Sequence, residues 1–112
     1  MAKLLQQISL PDKIKIGGMD ISIQLQKNLS KRSGDEGGYF EEDQLIILDK
    51  DIIEIGNKYS IFLLWHENLH AIYSQYSLDG LSEEKNVNGF SQGIVQVFGD
   101  NPKLVDWILL CL

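Results

Sequence analysis

Between Lys13 and Gln26 the apolar residues Ile14 and Ile16, then Ile21, Ile23 and Leu25, alternate with polar ones on either side of Gly17-Gly18. A period of two around a two-glycine break predicts a β-hairpin. Ser33 to Gly38, S-G-D-E-G-G, reads as a flexible connection. Tyr39 to Leu48 mixes polar and apolar residues and ends in Leu45-Ile46-Ile47-Leu48, which predicts a third strand. Its acidic half, Glu41-Glu42-Asp43, reads as a turn or an exposed edge. From Asn57 the period changes: Ile61, Leu64, Trp65, Leu69, Ile72 and Tyr73 recur at spacings of three and four, with no Gly or Pro before Gly80. The spacing predicts a helix of about five turns. Ser82 followed by Glu83 and Glu84 marks the start of a second helix with an apolar stripe of Val87, Phe90, Ile94 and Val97, ending at Gly99. Asn101-Pro102 opens a short third helix through Leu112. Strands first and helices after predict an α+β fold.

A chain of 112 residues with 44% hydrophobic content and no low-complexity tract reads as one globular domain, 1–112, rather than two domains or a disordered segment. Ten basic against sixteen acidic side chains leave a net charge of −6, which removes the electrostatic support for a nucleic-acid or anionic-membrane partner. The longest apolar runs are far short of the roughly 20 residues that span a bilayer. The lone Cys111 permits no internal disulfide, and the first ten residues do not read as an export signal, so the expectation is a cytoplasmic protein. Leu104, Trp107, Ile108 and Cys111 form one face of the last helix for the core. Leu109, Leu110 and Leu112 add apolar surface through which a homodimer contact is conceived.

The chemistry concentrates in one place. The only two histidines, His66 and His70, flank Glu67 in H-E-N-L-H on the longest predicted helix. Residues four apart share a helix face, so both imidazoles can converge on one ion, and zinc takes neutral histidine nitrogen. Glu67, one residue on, can reach a water activated by that ion and act as general base. The ordinary alternative is a pair of surface histidines beside a helix-face glutamate. The apolar neighbours Leu63, Leu64, Ala71 and Ile72 weigh against it, because part of the motif then faces the interior. A catalytic zinc needs a third protein ligand, and the acids after His70 are Asp79, Glu83 and Glu84. Tyr39, Tyr73 and Tyr76 are candidate donors to an oxyanion.

H-E-N-L-H followed by Glu84-x-x-x-Asn88-x-Phe90 resembles the gluzincin arrangement of zincin metallopeptidases. Gly38-Tyr39, Ile46 to Asp49, His66 to Ile72, Glu84-Lys85, Val87, Gln96-Val97 and Asp100-Asn101-Pro102 resemble small phage and prophage-encoded zincin-like proteins. The resemblance implies a minimal zincin-like domain: an N-terminal hairpin plus an edge strand packed on the H-E-x-x-H helix, a second helix and a short C-terminal helix. It implies Zn²⁺ held by His66, His70 and Glu84, with Glu67 as catalytic base and Asn88 where an acid usually supports the first histidine. It further implies a peptide or protein substrate laid along the edge strand at Leu45, Ile46 and Ile47, in the cytoplasm of a bacterial host. The expected function is a zinc-dependent peptidase. The alternative is a catalytically weak or inactive phage accessory protein that binds a peptide or protein, for which Asn88 in place of an acid speaks.

Overall fold

The structure is a computed structural model that describes residues 9–78, 80 and 82–112. Among these residues the chain is α+β, with a four-stranded mixed sheet and five helices. The predicted hairpin is present: β1 (Lys13–Ile16) and β2 (Met19–Gln26) pair antiparallel with Ile16 opposite Met19. Gly17 takes φ 62° in the turn, a left-handed conformation that favours glycine. Ile14, Ile16, Ile21 and Ile23 point into the core, as their alternation requires.

The stretch from Asn28 to Phe40 departs from expectation. A short helix α1 (Leu29–Ser33) ends on Gly34, which is also left-handed, and β3 (Gly37–Phe40) begins where a flexible connection was expected. Tyr39 to Leu48 is not one strand but two: β3 and β4 (Leu45–Asp49) pair antiparallel across a turn made by the acidic residues. The sheet order is β1-β2-β4-β3, with β2 and β4 parallel. The expected edge strand at Leu45–Leu48 is therefore an inner strand, laddered to β2 on one side and β3 on the other. The two edges are β1 and β3.

Asp49 ends β4 and caps α2 (Lys50–Ile55), its carboxylate accepting from the Asp51 and Ile52 amides. Gly56 closes α2, and Asn57 with Ser60 forms a reciprocal capping box that starts α3 (Lys58–Gln75). One stripe of α3, including Leu63, Leu64, Ala71 and Ile72, lies buried against the sheet. α3 spans 18 residues, about the five turns expected, and the chain turns back into α4 (Glu83–Asp100). α5 (Pro102–Cys111) buries Leu104, Trp107, Ile108 and Cys111, leaving Leu109 and Leu112 exposed.

Candidate functional site

α3 divides the H-E-x-x-H motif between two environments. The expectation that part of the motif faces the interior is met by Glu67, which is 5% exposed, whereas both histidines are exposed. The imidazoles of His66 and His70 lie edge to face with ring centroids 5.0 Å apart. Phe62 continues the row one turn earlier, its ring 6.0 Å from that of His66. A spacing of four along the helix creates this row.

Glu67 lies over the backbone of β3. A Cβ built on Gly37 would stand 3.3 Å from Glu67 Oε2, so the glycine leaves room for the carboxylate. Among the described residues no hydrogen bond reaches that carboxylate. Burial pushes its pKa above the ordinary glutamate range; His66 and His70 draw it back, and Asp35 adds to the rise. A carboxyl raised in this way is a better proton acceptor near neutral pH than an exposed one.

Glu67 and His70 open on a cavity of about 340 Å³, completed by Tyr39, Glu41 and Ser74. The hydroxyls of Tyr39 and Ser74 are sealed from solvent, with no hydrogen-bond partner among the described residues. Of the other two tyrosines considered as donors, Tyr76 donates to Gln96 Oε1 at 3.4 Å and Tyr73 stacks on Phe90 at 6.4 Å. Glu41 was not singled out in the sequence beyond marking a turn. Glu41 follows the end of β3 at Phe40, in the turn toward β4, and no local pattern in the sequence places that turn beside α3.

The remaining predicted residues lie apart from this group. Glu83 and Glu84 are exposed in the first turn of α4. The antiparallel packing of α3 and α4 explains why: Trp65 meets Phe98, Tyr73 meets Phe90, and Gly89 packs under Leu78. Glu84, five residues before Gly89, thus falls beyond Leu78, and Phe90 is what α4 brings to the histidines. Asn88 is exposed at that same end. Asp79 lies outside the described residues. Among the described residues no three His, Cys, Asp or Glu side chains are grouped to hold a metal ion. Ile46 is fully buried, and the main chain of Leu45, Ile46 and Ile47 is spent in two ladders, so the edge available beside α3 is that of β3.

No helix of the described residues is long and apolar enough to cross a membrane. Comparison with known proteins finds no matching family model, curated protein or solved structure.

Proposed function

We propose that the chain is a zincin-like, zinc-dependent peptidase. The observation that carries this reading is Glu67: a buried carboxylate without a hydrogen bond among the described residues, raised in pKa, set between two exposed histidines one helical turn apart. Two imidazoles on successive turns fit zinc's preference for neutral histidine nitrogen. In this reading His66, His70 and Glu84 hold Zn²⁺, and Glu84 must be drawn in from the first turn of α4. The ion, when bound, supplies Lewis acidity toward the peptide carbonyl and toward water.

The chain's own residues do the rest. Glu67 takes a proton from water on its carboxylate oxygen as the water oxygen forms a bond to the carbonyl carbon. The same proton passes to the departing amine nitrogen as the C–N bond breaks. Gly37 leaves space for the carboxylate to stay in place, and the β3 edge, in place of Leu45–Ile47, lays the substrate out by main-chain hydrogen bonds.

The test is zinc content per chain after purification without chelator, together with hydrolysis of a peptide library. Wild type is expected to hold stoichiometric zinc, and His70→Ala and Glu84→Ala to lose it. Glu67→Gln should keep zinc and lose about 10²-fold or more in rate. A wild-type chain that takes up no zinc when zinc is added overturns the reading. The exposed, distant Glu84 favours a second reading, an inactive zincin-fold module that binds a peptide. Zinc retained in Glu84→Ala, with no peptide cleaved by wild type, would select it.

A further inference from the structure

His70 is the shared wall of two cavities on opposite flanks of α3. Residues 67, 70 and 74 turn one stripe of the helix toward β3, and residues 66, 69, 70 and 73 turn the next toward α4. The β3-flank cavity, about 340 Å³, has Tyr39, Glu41, Glu67 and Ser74 around His70. The α4-flank cavity, about 360 Å³, has His66, Leu69, Tyr73 and Phe90. Each is large enough for one side chain.

Their chemistry is opposed. The β3 flank offers two carboxylates, one of them Glu67, which is 5% exposed and accepts no hydrogen bond among the described residues. Beside them are two hydroxyls, Tyr39 Oη and Ser74 Oγ, with no hydrogen-bond partners among the described residues. Among the described residues no Lys or Arg lines it. Two carboxylates on one cavity favour a cation there, and an ammonium or guanidinium group brings several donors at once. The α4 flank offers Leu69 and the stacked pair Tyr73 and Phe90, with no carboxylate among the described residues. In an extended peptide successive side chains point to opposite sides, so the two residues flanking one bond over His70 reach different cavities.

We infer that these cavities are paired side-chain subsites selecting a peptide that joins a Lys or Arg residue, taken on the β3 flank by Glu41, to a large apolar residue, taken on the α4 flank by Phe90 and Leu69. The inference rests on the peptide reading above and names its substrate class. Selection against an acidic residue comes from Glu41 and Glu67 repelling it.

The test is an NMR titration of the metal-free full chain with capped tetrapeptides that carry Phe-Lys, Lys-Phe, Phe-Glu or Ala-Lys between glycines. One of the two Phe/Lys orders is expected to bind about 10-fold or more tightly than Phe-Glu and than Ala-Lys. Backbone shifts should appear together at Tyr39 and Ser74 and at Tyr73 and Phe90. Glu41→Lys, a change at an exposed position, should reverse the choice toward Phe-Glu, and Phe90→Ala should remove the preference for Phe over Ala. Equal affinities, no binding, or shifts confined to one cavity overturn the inference. The titration needs neither zinc nor turnover: selective binding without zinc uptake or cleavage would sink the peptidase reading and leave the subsites standing.

Discussion

A side chain at position 37 would press on the Ile47 carbonyl oxygen and on Leu48, each 3.1 Å from a built Cβ, as well as on Glu67. Gly37→Val is therefore expected to cost about 1–3 kcal/mol in denaturant unfolding and to lower any hydrolysis by displacing Glu67. Asp49 makes a second prediction. It is 2% exposed and accepts from the amides of Ser30, Asp51 and Ile52, and the Ser30 amide foremost holds its pKa below the ordinary aspartate value. A carboxyl depressed in the folded state adds stability that is fully present above about pH 4 and is lost as pH falls through the folded pKa. Asp49→Asn should flatten the loss of stability measured by unfolding as pH falls below about 4, and Asp49→Ala should cost about 1 kcal/mol at neutral pH. At this scale His66, Glu67 and His70 were legible because a helical spacing fixes who shares a face. Gly37, Glu41 and the partnering of Asp49 with Ser30 were not, because they depend on which strand passes under α3.

The two sheet edges are treated differently. Asn101 closes the β1 edge: its Oδ1 accepts from the Lys15 amide at 2.8 Å, and its Nδ2 donates to the Lys15 and Val97 carbonyls. Gln96 adds a bond to the Lys15 carbonyl and accepts from the Gly17 amide. Asn101→Ala should cost about 2–3 kcal/mol and speed hydrogen exchange at Lys15, because the edge loses both its donor and acceptor partners. Gln96 and Asn101 read in the sequence as a helix residue and a cap, since nothing local tells an amide that its Lys15 partner lies more than 80 residues away. The hairpin and the three long helices were legible from their periods. α1 and α2 were not, at five and six residues too short for a period to show. β4 was recognised as a strand but misplaced, because a run such as Leu45-Ile46-Ile47-Leu48 suits an inner strand buried on both faces as well as an edge.

Across the whole molecule the α3–α4 register decides what the site can reach. Gly93 sets its closeness, since a Cβ there would stand 2.5 Å from Ile72 Cγ2. If zinc recruits Glu84, hydrogen exchange at residues 84–86 should slow on adding zinc, whereas unchanged exchange there would place the third ligand elsewhere. α3 also touches β1, β3, β4, α2, α4 and α5, so the helix that carries the histidines has no way to unfold alone. Occupancy of the histidine site and survival of the fold are consequently one thermodynamic quantity. Any ion or peptide held there raises the melting temperature of the entire chain, by a free energy that grows with the logarithm of its concentration above the dissociation constant. A melting curve can thus rank candidate ions and peptides before any reaction has been found.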